Sequence, residues 1–376
     1  MSSPTFVAAC ASGPDWQTIA ARCLETLDTG NLPASLGWLY VTEPLASKLG
    51  EMLEHLRTLT GVHDWVGTVG AGICCTGREI YDEAAAAIML ANLPDDSARL
   101  IPPGVVAMNR MLDQNRGWID ERGAHFAIVH GDPRTAQLPQ LIESLAEALD
   151  PGFLVGGLTS AGDDENNIQI AGDLSENALS GVLLASDIPV ITGLTQGVSP
   201  LGSRHVVTEC RNNILVTLDE RPALDVFRED IGDVLSRDFS RVAGYIFAGL
   251  PVRGSDTGDY LVRNLVGIDP EKKLVAIGDL VEPGDPLMFC RRDGDSARED
   301  MQRMLDDLGR RAGGVPRAGV YYTCLGRGRY QFGDNSVELN MIRDRLGDFP
   351  LVGFFCNGEI SHNRLYGYTG VLTLFV

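Results

Sequence analysis

Three apolar runs in this chain rise to a glycine, take four residues and reach a second glycine: Gly72 to Gly77, Gly157 to Gly162, and Gly353 to Gly358. Glycine lets a backbone turn tightly or approach a ligand closely, and successive N–H groups can then converge on an anion or carboxylate. The groups such loops would bring to a cleft are Cys74, Thr76 and Gly77, then Thr159 and Ser160, then Asn357 and Gly358. Glu79 and Glu359 follow the first and third loops, where a carboxylate accepts from a ligand ammonium group or braces the loop's own amides. Arg327, Arg253 and the pair Arg263-Asn264 supply the opposite chemistry. A guanidinium suits a carboxylate, although most surface arginines end in ion pairs. Together these residues form a candidate ligand-binding set for a small polar molecule such as an amino acid or organic acid.

Other chemistries fit the residues less well. The first loop is followed by Arg78-Glu79, where a phosphate-binding loop requires Lys and Ser/Thr, so nucleotide hydrolysis is not expected. Cys74, Cys75, Cys324 and Cys356 allow a cysteine-dependent enzyme, but no histidine accompanies them in sequence, and buried thiols acting as small apolar residues fit as well. His130 and His362 allow axial ligation of a non-covalently held haem, while no CxxCH attachment motif exists. No carboxylate pair shows a recognisable catalytic spacing. The expectation is therefore no catalytic residue, no enzyme, no cofactor and no metal.

Charge narrows the partners. The net charge is −20, from 51 acidic and 31 basic residues, and such a surface repels nucleic acid and anionic lipid. No stretch approaches the apolar length a bilayer crossing needs, and the first ten residues lack the basic start and apolar core of a signal peptide. A cytoplasmic protein is expected, with eight cysteines that show no metal or disulfide spacing and so default to free thiols.

The elements that must position these groups alternate. Helical spacing covers Trp16 to Leu27, Leu45 to Leu59 and Leu138 to Leu149; strand patterns cover Leu36 to Val41, Trp65 to Val69, His125 to Val129 and Phe153 to Val155. Ala84 to Leu93 has helical propensity, yet its place after a glycine loop matches the strands Leu179 to Ala185 and Gly370 to Phe375, so a strand is expected. Asn92 to Pro103 reads as loop, and Ile188 to Gly202 is rich in glycine and proline. Beyond a boundary near Glu220, helices at Ala223 to Leu235, Ala297 to Leu308 and Val337 to Leu346 alternate with strands at Gly244 to Leu250, Leu274 to Ile277, Leu287 to Arg291 and Ala318 to Cys324. Short turns join several of these strands. The expected fold is α/β (α+β): two domains of mixed, largely antiparallel sheets flanked by helices, with an internal strand-loop-strand repeat.

The loops Gly72-Ile-Cys-Cys-Thr-Gly-Arg-Glu-Ile80 and Gly353-Phe-Phe-Cys-Asn-Gly-Glu-Ile360, with Tyr260-Leu-Val-Arg-Asn264, Thr323-Cys-Leu-Gly-Arg-Gly328 and the terminal Thr369 to Phe375, resemble the paired domains of the FIST family. The resemblance spans nearly the whole chain and implies an N-terminal domain over 1–219, holding two of the repeats, and a C-terminal domain over 220–376. It also implies a sensory, signal-transduction role, a small ligand such as an amino acid, and a separate signalling protein as partner. Some members of the family are haem-binding gas sensors, which is the alternative for His130 and His362.

Overall fold

The structure is a computed structural model that describes residues 4–27, 33–149, 152–236, 244–252 and 260–376. Arg253 lies outside the described residues. The chain divides into two compact units, one formed by Met1–Thr195 with Met301–Val376 and the other by Gln196–Asp300. The fold is α/β, with mixed sheets in the first unit and an antiparallel sheet in the second.

The first unit uses one topology three times. Each copy has a strand, a helix, a second strand parallel to the first, and a third strand antiparallel on the first strand's other side. These are Leu36–Thr42, Leu49–Thr60, Trp65–Gly70 and Ala85–Asn92; Phe126–Gly131, Leu138–Ala148, Phe153–Leu158 and Leu179–Leu184; and Ala318–Cys324, Val337–Leu346, Leu351–Cys356 and Thr369–Phe375. Gly67, Gly156 and Gly353 hold the same place in the three second strands, opposite Leu39, Val129 and Tyr321. A Cβ at any of them would stand 1.8 Å from the carbonyl oxygen of that partner. This close approach of paired strands demands a glycine in every copy. The three Gly-x4-Gly stretches therefore begin at different places: the third at the strand glycine, the second one residue beyond it, and the first in a separate strand.

After its second strand, each copy gives a short strand to another. Gly72–Cys75 pairs with Leu351–Cys356, Glu359–His362 pairs with Phe153–Leu158, and Gln169–Ala171 pairs with Trp65–Gly70, so the exchange closes in a cycle. Hairpin strands Arg78–Tyr81, Arg364–Tyr366 and Asp173–Ser175 extend these additions. Thr5–Ser12, Ala98–Ile101 and Val190–Gln196 line the opposite edges, which gives three six-stranded sheets of identical order. Trp38, Tyr40, Ile128, Val155, Tyr322 and Phe354, drawn from all three copies, share one buried core. The helices cover outer faces, as Leu49, Met52 and Leu56 do over Leu39 and Val69.

Several expectations change. The alanine-rich Ala85–Asn92 is a strand, paired on both sides by Thr5–Ser12 and Leu36–Thr42. The segment read as loop contains the edge strand Ala98–Ile101, followed by helices Val105–Gln114 and Arg116–Arg122, and the glycine-rich segment contains the strand Val190–Gln196. Both strands are short or half-exposed edges whose weak patterning conceals them. The free-thiol default fails for one pair, because Cys10 and Cys75 form a disulfide in the shared core.

In the second unit, seven strands run in the order Val198–Arg211, Pro286–Arg292, Ile246–Pro251, Tyr260–Asp269, Leu274–Ile277, Ile214–Leu218 and Arg221–Pro222. Val198–Arg211 also pairs with Ile214–Leu218, which closes the sheet on itself. Leu224 and Phe227 of the helix Ala223–Ser236 pack with Phe289 and Val275 in its core.

Candidate functional site

Polar side chains gather around the end of the third copy's first strand. The helix Val337–Leu346 starts after Ser336, whose φ of 54° reverses the chain and turns Glu338 into the interior. Glu338 Oε1 accepts from the Tyr321 hydroxyl at 2.6 Å, Arg327 Nε at 2.8 Å and Thr323 Oγ1 at 3.3 Å, while Oε2 accepts from the Gly328 amide at 2.8 Å. Gly328 is required there, since a Cβ would strike the Tyr81 hydroxyl at 2.0 Å. Arg327 and Glu338 are both fully buried, and a buried pair is stable only with its remaining hydrogen-bonding capacity met.

That capacity is not met by the described residues. Nη1 and Nη2 of Arg327 have no hydrogen-bond partner. The Tyr321 hydroxyl, which donates to Glu338 and keeps its lone pairs for the guanidinium, interacts with Arg327, and the Phe332 ring centroid lies 4.9 Å from Cζ. Glu359, also fully buried, accepts the Thr369 amide at 3.0 Å and the Thr369 hydroxyl at 2.8 Å on Oε2, and its Oε1 has no partner. Burial pushes the Glu359 carboxyl up to about 8; the Thr369 donors and the Arg327 charge act against it without cancelling it. Glu79 is half-buried: its Oε2 accepts the Tyr81 hydroxyl at 3.0 Å and its Oε1 is unpartnered. Burial, then the nearby Glu338 charge, raises Glu79 to about 7.

Cys74 interacts electrostatically with Glu79, and Arg327 with Glu359; Glu338 and Cys356 each act on members of both pairs. The remaining candidates have other work. Thr76 Oγ1 donates to the Phe349 carbonyl at 2.8 Å and accepts the Leu351 amide at 3.1 Å, bracing the exchanged strand. Gly77 occupies a turn at φ 66°. Ser160 Oγ donates to the Phe355 carbonyl and accepts the Ala71 amide, and Thr159 is buried with its hydroxyl unpartnered. The exposed Asn357 donates its amide to the Leu158 carbonyl, and the Gly358 carbonyl accepts the Leu158 amide. Arg263 and Asn264 belong to the second unit, where Arg263 Nε donates to Asp279 at 2.7 Å.

The notion of converging glycine-loop amides is met internally. The Gly162 and Asp163 amides donate to Glu43 at 2.9 and 2.8 Å, and against the opposing effect of burial they hold its carboxyl below its ordinary value. A surface cleft of about 230 Å³ near Asp64, Asp95, Asp96 and Arg99 contains none of the predicted residues.

His130 has an unforeseen setting. Tyr40, His130 and Tyr322 are each the fifth residue of a copy's first strand, and their side chains meet in the core. The Tyr40 hydroxyl oxygen lies 3.1 Å from His130 Nε2 and 2.8 Å from the Tyr322 hydroxyl. Phe354 stacks on Tyr40 at 5.3 Å and lies 5.9 Å from the imidazole. Burial pushes His130 down to about 3, so it is neutral. This packing leaves no open face for a porphyrin at His130, and His362 is exposed and bonded to Asn363. Burial also raises the thiols: Cys324 reaches about 12, and Cys74 and Cys356 lie well above the usual value, so none is a thiolate near neutrality.

A protein-family model described as the FIST N domain matches residues 35–221, and one described as the FIST C domain matches residues 223–362. The chain is 30% identical over 326 residues to the "Uncharacterized protein Rv0628c" of Mycobacterium tuberculosis (strain ATCC 25618 / H37Rv), covering 83% of each. It is 28% identical over 331 residues to the "Uncharacterized protein Mb0898c" of Mycobacterium bovis (strain ATCC BAA-935 / AF2122/97), covering 83% of this chain and 82% of that one. Among the described residues, no helix is long and apolar enough to cross a membrane, and no group of His, Cys, Asp and Glu is arranged to hold a metal ion.

Proposed function

The chain belongs to the FIST family, whose domains are signal-transduction sensory modules, and from that premise we propose that it senses a small polar ligand held between Arg327 and Glu359. The observation that carries this reading is the coincidence of unmet atoms. Two Arg327 nitrogens and one Glu359 oxygen are buried without partners on side chains that interact electrostatically, and protein interiors satisfy such groups with a ligand or ordered water. The neighbouring Glu79 oxygen extends the set. An organic acid or amino acid places a carboxylate on the Arg327 fork, as charge-assisted bidentate bonds favour. A separate protein would receive the signal, in keeping with a sensory module.

Neither alternative chemistry draws support from the geometry. The histidines are packed or bonded as described, and the thiols in the cluster are protonated. A thermal-shift screen of amino acids and organic acids tests the proposal, since a ligand that binds only the folded state raises its melting temperature. Stabilisation that is lost in Arg327→Lys and altered in Glu359→Gln supports the site. Equal stabilisation of both variants and the wild type refutes it.

A further inference from the structure

His205 stands in the second unit between two carboxylates and ties three elements together. It belongs to the strand Val198–Arg211. Its Nδ1 lies 2.6 Å from Asp219 Oδ2, in the turn after Ile214–Leu218, and its Nε2 lies 2.9 Å from Asp230 Oδ2, on the helix Ala223–Ser236. Gly202, at φ 61°, lets the helix carboxylate come this close, since a Cβ there would strike Asp230 Oδ1. Ionised carboxylates only accept, so each of the two contacts needs an N–H, and an imidazole has two N–H groups only when protonated. The neutral ring has one, and its other nitrogen turns a lone pair towards a carboxylate oxygen. One of the two bonds is therefore made only by the imidazolium.

The two acceptors are unequal. The Asp230 side chain is 11% exposed and has His205 as its one hydrogen-bond partner among the described residues, whereas Asp219 is 46% exposed and also accepts the Val206 amide at 2.9 Å. Losing a donor costs an enclosed carboxylate more than one that water can reach. Asp219 is thus the one released, and its backbone is strained. Asp219 and Glu220 form the two-residue turn between paired Leu218 and Arg221, at φ 50° and 63°, where asparagine and glycine are usual. Apart from the Asp219 carboxylate, the turn is held by the Asp219 amide on the Val206 carbonyl at 3.0 Å and the Glu220 amide on Thr208 Oγ1 at 3.0 Å.

We propose that His205 is a proton-operated clasp on the turn Asp219-Glu220. Protonated, it donates to both carboxylates; when Nδ1 gives its proton to water, Nε2–H stays on Asp230, Asp219 turns to solvent and the turn loosens. The clasp belongs to the second unit and is independent of the ligand reading. The charged groups around the ring come from each neighbouring element. Asp219 and Asp230 face it directly, Glu229 of the helix interacts with it, and Arg221 beyond the turn pairs with Glu229 and acts on Asp219. The strand Pro286–Arg292 offers only apolar neighbours, Leu287 as the paired residue and the Phe289 ring at 6.5 Å. Burial lowers the proton affinity of the imidazole, but the two carboxylates outweigh it, so the clasp opens above the ordinary histidine value of 6.5. The His205 and Val206 bonds hold Asp219 below its ordinary value, while burial keeps Asp230 above its own despite the imidazole, so Asp230 is the partner that most needs the retained donor.

Hydrogen–deuterium exchange of the full chain, read by mass spectrometry and corrected for the intrinsic pH dependence of exchange, tests the clasp from about pH 5.5 to about pH 9. Imidazole nitrogen chemical shifts, assigned by the signal missing from His205→Leu, give the midpoint in parallel. Protection of the Asp219 and Glu220 amides is expected to fall at least about tenfold across that midpoint, with other peptides of the second unit unchanged. Asp219→Asn and Asp230→Asn each remove a charge beside the ring and should lower the midpoint by about one pH unit or more. His205→Leu should leave the turn weakly protected at every pH. Should that variant fail to fold, the wild-type profile and the two asparagine variants decide the matter. Protection that stays level across the midpoint, or that is lost equally throughout the second unit, overturns the clasp, as does a midpoint indifferent to both asparagine variants.

Discussion

Replacing Glu338 probes the cluster where its energetics are largest. The carboxylate accepts from Tyr321, Thr323, Arg327 and Gly328, and neither it nor Arg327 is exposed to solvent. In Glu338→Ala the guanidinium stays buried without its counter-charge, and breaking one side of such a pair costs about 3–5 kcal/mol. Removing both charges with Arg327→Met and Glu338→Leu should recover most of that loss, because buried pairs exchange for apolar residues at little net cost. The assay can be confined to one unit. All four tryptophans, Trp16, Trp38, Trp65 and Trp118, fall in the unit built from Met1–Thr195 and Met301–Val376, so unfolding followed by tryptophan fluorescence reports that unit. For a unit of this size the loss corresponds to a fall in melting temperature of about 10 °C. A Glu338→Ala loss below about 1 kcal/mol, or a double variant as unstable as the single one, would refute the claim that Glu338 neutralises Arg327.

Other perturbations have equally definite outcomes. Gly353→Ala and Gly67→Ala place a Cβ 1.8 Å from the Tyr321 and Leu39 carbonyl oxygens, so each should cost at least about 3 kcal/mol, while Gly117→Ala, with nothing within 4 Å, should be neutral or mildly stabilising by fluorescence-detected unfolding. His205 sits between Asp219 and Asp230 at 2.6 and 2.9 Å; burial lowers its proton affinity, but the two carboxylates outweigh that and raise it above 6.5. Its stabilisation is complete below about pH 6.5 and lost as pH rises through the folded value, so an NMR titration of its ring protons should give a midpoint above 6.5; a lower midpoint contradicts the arrangement. Glu359 is raised from 4.5 to about 8, so the folded chain retains a proton that the unfolded chain releases, and stability should fall as pH rises through that window. Glu359→Gln should flatten that slope in fluorescence-monitored denaturation at a series of pH values, and an unchanged slope would show that Glu359 is ionised.

Ala85–Asn92 was readable as a strand only from its position after a glycine loop, because its composition favours helix; neighbouring strands on both sides override that propensity. The recurrence of glycine was visible, but its cause was not. The contacts of Gly67, Gly156 and Gly353 with facing carbonyls depend on which strands run parallel, which spacing along the chain does not reveal. The exchanged strands were hidden for the same reason, since Cys75 finds its partner at Val352 and Gln169 finds its partner at Thr68. Arg327 and Glu359 stood out because each lies within a motif. Glu338 did not, since its inward turn depends on the positive φ of Ser336 and its four donors all lie in the preceding stretch from Tyr321 to Gly328, outside its own helix. Tyr40, His130 and Tyr322 carried one signal, a shared fifth position in three matching strands, which becomes readable only once those strands are aligned.

The most direct test of the ligand site is a crystal structure of the full chain soaked with 3-bromopropionate, using the bromine's anomalous signal to locate the molecule. One bromine peak is expected in the interior of the first unit, with the ligand's carboxylate oxygens within hydrogen-bonding distance of Arg327 Nη1 and Nη2 and of Glu359 Oε1. Bromine peaks only at the surface, with ordered water bridging Arg327 and Glu359, would contradict it.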